Sequence, residues 1–217
     1  ISKVEPGATV HVLTNPLITK ADGTKFGKSE GGAIWLDPTM LSPYAFYQFW
    51  LQVEDVDVVR FLKVFTFLSR ERIEELERET QENPRARAAQ KALAHEVTTW
   101  VHGEQETARV EAATAALWGG DADSLRKIDA FTLAGATADL PSAQLEVGKS
   151  TIIDLLVATG LEKGRGAARK TVAQGGAYLN MRKVSDEDAV ITEDDLLAGG
   201  VVLVRKGRRK LAVARTN

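Results

Sequence analysis

Between Ser42 and Gly120 the chain starts and stops helices so regularly that little except a bundle of helices can accommodate it. Ser42-Pro43 sets a hydroxyl N-cap before a proline at the first helical position. Tyr44, Phe46, Tyr47, Phe49, Trp50 and Leu51 follow, an aromatic density better explained by packing than by a base-stacking surface. A second helix covers Val56 to Phe67, with Val58, Val59, Leu62 and Phe65 on one face. Ser69 caps a third, Arg70 to Gln81, whose Ile73 and Leu76 point inward. Asn83-Pro84 starts a fourth by the same logic. It runs to about His102, with Ala88, Ala92 or Leu93, Val97 and Trp100 at helical spacing, and Gly103 ends it. Glu104 to Trp118 forms a fifth, stopped by Gly119-Gly120. His95 and His102 lie two turns apart without a third ligand, so no metal is assigned to them.

After the helices the character changes. Gly120 to Gly148 reads as a linker, broken by Leu140-Pro141-Ser142, with a short helix around Ser124 to Phe131. From Lys149 to Asn217 there are thirteen Lys and Arg against eight Asp and Glu, whereas the preceding residues have fifteen against twenty-two. Such asymmetry points to different partners for different segments. The basic segment is patterned. Ser150 to Thr159 is an apolar helix, and Gly164 to Gln174 is a second with Arg165, Arg169 and Lys170 exposed. Gly175-Gly176 ends it, Ala177 to Asn180 follows as a strand, and Arg182-Lys183-Val184 leads into an acidic loop. Val201 to Val204 and Leu211 to Ala214 form a hairpin with a basic tip from Arg205 to Lys210. A basic helix face beside a basic hairpin suits a phosphate-tracking surface, with Arg165, Arg169, Lys170, Arg182, Lys183, Arg208 and Arg209 as candidate contacts.

Near the other end, Lys25-Phe26-Gly27-Lys28-Ser29 sets two lysines three apart around a glycine. Lys20-Ala21-Asp22-Gly23-Thr24 precedes it, and Glu30-Gly31-Gly32 and a strand-like Ala33 to Leu36 follow. A glycine-hinged loop with two ammonium groups suits closure over a polyanion such as triphosphate. Another short strand is expected at Ala8 to Leu13. The absence of cysteine excludes disulfides and thiolate metal sites. No run of eighteen apolar residues suggests a membrane span, and the cytoplasm is the expected compartment.

These blocks resemble bacterial tyrosyl-tRNA synthetases. Residues 16–29 are similar to that family's form of the KMSKS signature of class I aminoacyl-tRNA synthetases, with Phe26-Gly27 in place of Met-Ser. Ser42 to Trp50, Phe65 to Ser69, and Arg87 to Lys91 with Leu93-Ala94 and Val101 to Gly103 supply three further blocks in order. Ala168-Arg169-Lys170 and Gly175 to Asn180 resemble the ribosomal S-four-type RNA-binding domain, although Met181 stands where the family usually has glycine.

The resemblance implies a mixed α and α+β protein. Residues 1–37 would be the end of a Rossmann-type catalytic domain, 38–119 a helical anticodon-binding domain, 120–148 a linker and 149–217 the RNA-binding domain. It implies ATP-dependent activation of tyrosine to tyrosyl-adenylate and transfer to tRNA(Tyr). Lys25, Lys28 and Ser29 would be catalytic, and Lys25, Phe26, Gly27 and Lys28 would bind ATP, with Mg2+ accompanying the nucleotide. Lys20 would steady the base of the loop. A HIGH-like motif and a tyrosine pocket are missing from these residues. The chain is therefore expected to be the C-terminal portion of a longer homodimeric enzyme, dimerising upstream and inactive in the portion shown. The alternatives are a non-catalytic RNA-binding protein that kept synthetase-like domains, and a tryptophanyl-type synthetase, which the terminal RNA-binding segment disfavours.

Overall fold

In the computed structural model the described residues are 11–14, 17–19, 23–24 and 34–216. Residues 1–34 and 35–217 form two compact units, and the second contains every helix and strand discussed below. Of the two short strands expected at either side of the lysine loop, the described parts, His11 to Leu13 and Ile34 to Leu36, have no strand structure.

The helical part begins with α1 (Pro43–Leu51), where the Ser42 hydroxyl accepts from the Ala45 amide, as the Ser-Pro signal requires. Tyr44, Phe46, Tyr47 and Trp50 are buried, so the aromatic run is core. Trp50 lies edge-on to Phe46 and Phe61 and tilted against Phe65, which ties α1 to α2 (Asp55–Phe65) through edge-to-face ring contacts. Burial of Tyr47, with Glu111 nearby, pushes its phenol up to about 12. On α2 the fully buried side chains are Val58, Phe61 and Leu62, whereas Val59 and Phe65 are only partly covered. Ser69 caps α3 (Arg70–Glu82), and Ile73 and Leu76 are its buried residues.

The fourth helix departs from expectation. Asn83-Pro84 opens only a 3-10 turn, Pro84–Ala86. Arg87 then adopts φ 53° and ψ 39° and separates that turn from α4 (Ala88–His102). A left-handed arginine is costly, and its guanidinium donates to the Leu51 carbonyl at 2.6 Å, which offsets part of that cost. Leu93, Ala94 and Val97 of α4 face the core, but Trp100 is 69% exposed. Its edge meets the ring of Phe67, which is 81% exposed. Gly103, at φ 87°, makes the tight turn into α5 (Glu104–Gly119), a conformation that penalises any side chain.

Residues 120–148 hold more structure than a linker with one short helix. Asp121 caps α6 (Ala122–Arg126) and Asp129 caps α7 (Ala130–Ala136), each carboxylate accepting the amide three residues on. α7 packs on α1 and α5. Ser142–Gln144 forms β1, which pairs in parallel with β5 (Lys210–Arg215).

The C-terminal part contains α8 (Ile152–Ala158), α9 (Arg165–Ala173), β2 (Ala177–Leu179), β3 (Arg182–Lys183) and β4 (Val201–Lys206). The sheet order is β1-β5-β4-β2-β3. Ile152, Leu156, Ala168 and Val172 from the helices and Val202, Val204 and Ala212 from the sheet make one apolar core. Two arginines join this part to the helices before it. Arg126 donates to the Asp194 carbonyl at 2.6 Å, and Arg215 to the Thr137 hydroxyl at 2.9 Å. No helix among the described residues is long and apolar enough to cross a membrane.

Candidate nucleic-acid interface

The expected lysine loop, Lys25, Phe26, Gly27, Lys28 and Ser29, with Lys20, lies outside the described residues. The described candidate site is therefore the basic surface of the C-terminal part.

α9 starts at Arg165 and stops where the sequence says it must. Gly175 takes φ 71°, and a Cβ there would collide with the Lys183 side chain, which lies across the end of the helix. A cation at that position also complements the helix C-terminus. The β4–β5 hairpin comes to the same place, because the Gly207 amide donates to the Gly176 carbonyl at 2.8 Å. The two basic elements picked out in the sequence are thus neighbours. Exposed Arg165, Arg169 and Lys170 run along α9, and exposed Arg208 and Arg209 form the tip beside its C-terminal end.

Most of the α9 and β3 cations have acidic company. Arg165 Nη1 lies 2.5 Å from Asp154 Oδ1, Arg169 Nε 3.7 Å from Glu187 Oε2 and Arg182 Nη2 3.7 Å from Asp123 Oδ1. These pairs are largely solvent-exposed, so each is worth little to stability. Arg182 accordingly points towards α6. Arg208 and Arg209 have no ion-pair partner among the described residues. Arg205, counted with the basic tip, instead stacks on its cross-strand neighbour Tyr178, with 4.3 Å from guanidinium to ring centroid.

One residue that sequence reasoning missed organises the surface. Glu162, in the α8–α9 connection, is 8% exposed. Its Oε1 lies 2.7 Å from Lys206 Nζ at the root of the hairpin and also accepts from the Thr171 hydroxyl on α9. The Lys206 and Thr171 hydrogen bonds hold its carboxyl below the usual range despite burial. No local pattern reveals a pairing between residues so far apart in sequence.

The β2–β3 turn carries the departure from the RNA-binding pattern. Asn180 and Met181 both have positive φ, 46° and 65°, the geometry that favours Asn-Gly. Asn180 holds the turn. Its Oδ1 accepts from the Leu203 amide at 2.8 Å and its Nδ2 donates to the Asp195 carbonyl at 2.5 Å. Met181 therefore takes the left-handed position of this turn without being glycine.

The two histidines of α4 are engaged separately. His95 Nδ1 is 2.9 Å from Glu111 Oε1, while His102 lies edge-on against Phe46, where burial lowers its pKa.

Comparison with known proteins accords with this architecture. Residues 3–119 match the family described as tRNA synthetases class I (W and Y), and residues 132–214 match the Tyrosine--tRNA ligase SYY-like C-terminal domain. The tyrosine–tRNA ligase of Streptomyces avermitilis is 52% identical over 212 residues, covering 98% of this chain and 50% of that protein. That of Kineococcus radiotolerans is 53% identical over 204 residues, covering 94% and 48% respectively. That of Mycobacterium tuberculosis is 49% identical over 208 residues, covering 95% and 49%. The chain spans about half the length of these relatives. It belongs to the class I tRNA synthetases of the tryptophan and tyrosine type, and its C-terminal part is of the tyrosine–tRNA ligase kind.

Proposed function

We propose that these residues are the C-terminal half of a tyrosine–tRNA ligase that activates tyrosine with ATP and transfers it to tRNA(Tyr). The observation that carries this reading is identity of about half with tyrosine–tRNA ligases over nearly the whole chain. The joined α9–hairpin surface adds a physical reason to expect RNA. In this reading residues 1–37 end a Rossmann-type catalytic domain, 38–119 bind the anticodon region, 120–148 connect, and 149–217 bind RNA. The working compartment is the cytoplasm, and the enzyme is a homodimer through its upstream half.

The chemistry divides accordingly. The tyrosine carboxylate attacks the α-phosphorus of ATP, pyrophosphate leaves, and the tyrosyl group then passes from the adenylate to a terminal ribose hydroxyl of the tRNA. Lys28 and Lys25 reach the pyrophosphate end as charge accumulates there, with Ser29 beside Lys28 and Phe26-Gly27 allowing close approach. A cation brought up by loop closure stabilises the transition state more than the bound substrate. Among the described residues no group of three or more His, Asp or Glu is placed to hold a metal. Magnesium would accompany the nucleotide phosphates. At the other end Arg165, Arg169, Lys170, Arg208 and Arg209 face tRNA phosphates, with Lys183 at the end of α9 and Arg182 at the periphery.

The test is Lys28→Ala in the longer protein. Pre-steady-state measurement is expected to show slowed adenylate formation with tyrosine affinity near normal. An unchanged rate of adenylate formation rejects the assignment.

A further inference from the structure

The buried Glu162 carboxylate serves none of the roles assigned so far. Both its partners belong to the elements that carry exposed cations. Thr171 lies on α9 between Arg169 and the Gly175-Gly176 stop, and Lys206 is the last residue of β4 before the Arg208-Arg209 tip. Lys206 Nζ also reaches the Leu161 carbonyl, at 3.4 Å, so the ammonium is turned inward. The Gly207–Gly176 backbone bond, at 2.8 Å, is another tie between the same elements. The apolar core packs Ala168 and Val172 of α9 with Val202, Val204 and Ala212 of the hairpin, and β2 pairs with β4 from Ala177 opposite Lys206, so Glu162 adds to this junction at the last turn of α9.

Burying a carboxylate against an ammonium gains little net stability, because desolvation consumes most of the attraction. What such a pair does fix is geometry. We propose that Glu162 is a positioning residue of the RNA surface: its carboxylate clamps α9 to the root of the β4–β5 hairpin and so sets the spacing between the Arg165/Arg169/Lys170 cluster and the Arg208/Arg209 tip. Glu162 does not touch RNA. It determines whether the two cation clusters meet phosphates simultaneously, and hence the preference for a folded tRNA over an RNA without matching shape. Phosphate contacts supply affinity to any RNA, whereas their relative placement supplies register. This inference rests on the RNA-binding reading above.

The test uses the 217-residue chain, a tRNA(Tyr) transcript and a random-sequence RNA of equal length, with affinity measured across salt concentration. Glu162→Leu/Lys206→Met removes the clamp and keeps both volume and net charge. It is expected to melt close to wild type and to bind random RNA with unchanged affinity and salt dependence. It should lose roughly tenfold for the tRNA(Tyr) transcript, the scale of one or two misplaced contacts. Glu162→Lys/Lys206→Glu rebuilds the pair in reverse and should recover much of that loss, which a merely structural role would not require. A folded double variant that keeps its tRNA affinity, or loses both RNAs equally, overturns the proposal. If the double variant does not fold, Thr171→Val decides: it removes only the bond from α9 to Glu162, and undiminished preference for the tRNA(Tyr) transcript rejects the clamp. If the wild-type chain binds neither RNA, the RNA-binding reading has failed; if it binds both equally, the role given to Glu162 is overturned.

Discussion

Neutralising the hairpin tip separates cations available to phosphate from those occupied by carboxylates. Arg208 and Arg209 are exposed and have no ion-pair partner among the described residues, whereas Arg165 and Arg169 face Asp154 and Glu187. Each phosphate neutralised contributes about 0.7 to 0.9 to the slope of log affinity against log salt, because a condensed counterion is released. Arg208→Gln/Arg209→Gln should therefore flatten the slope for tRNA by about 1.6. Between about 50 and about 200 mM salt, that makes the affinity gap between wild type and variant about ninefold larger at the low-salt end. Arg165→Gln/Arg169→Gln should flatten it by less, because a guanidinium that keeps its carboxylate brings less net charge to the phosphate. The assay is equilibrium binding of a tRNA(Tyr) transcript by fluorescence anisotropy at four or more salt concentrations. Equal slopes for wild type and the tip variant would refute the claim that the tip meets phosphate. A larger effect at Arg165/Arg169 than at the tip would refute the reasoning about occupied cations.

Two further outcomes follow from local geometry. Met181→Gly relieves a left-handed methionine in a turn that prefers Asn-Gly, and should stabilise the domain by about 1 kcal/mol, seen as a higher urea midpoint at unchanged slope. Asp154, which completes the Thr151 capping box of α8, is held below the ordinary carboxyl range first by the Thr151 hydroxyl, then by the Thr151 amide and by Arg165. A depressed folded-state pKa gives stability that is present above the unfolded value of 3.8 and lost as pH falls through the folded one. Asp154→Asn should therefore cost about 1 kcal/mol at neutral pH and have a flatter stability profile below pH about 4. Parallel acid profiles for the two proteins would exclude this contribution.

Local signals made much of the architecture legible in the sequence. Ser42 and Ser69 are caps whose hydroxyls bond the expected amides, and Gly103 and Gly175 stop helices at positive φ, where a side chain is penalised. Basic α9 and the basic hairpin were separable as elements, and the structure brings them together. Features set by tertiary context did not show. The break at Arg87 has no glycine to announce it, and depends on a bond to Leu51 from another helix. Trp100 has the helical spacing of a core residue but faces outward with Phe67. Three-residue β1 exists only because β5 offers its edge. The two aspartate caps of α6 and α7 were readable signals, masked by the glycine- and alanine-rich composition around them. Glu162 looked like any exposed loop glutamate, because its partners arrive from α9 and from β4.

The proposed grip on tRNA(Tyr) lies at the surface where α9 meets the β4–β5 hairpin. Binding of the 217-residue chain to a tRNA(Tyr) transcript and to a random-sequence RNA of equal length, at near-physiological salt, tests it most directly. The account predicts preference for the folded tRNA that is weakened by Glu162→Leu/Lys206→Met, and affinity for both RNAs that is lowered by Arg208→Gln/Arg209→Gln. Equal affinity for both RNAs, or affinity and preference that survive both changes intact, would contradict it.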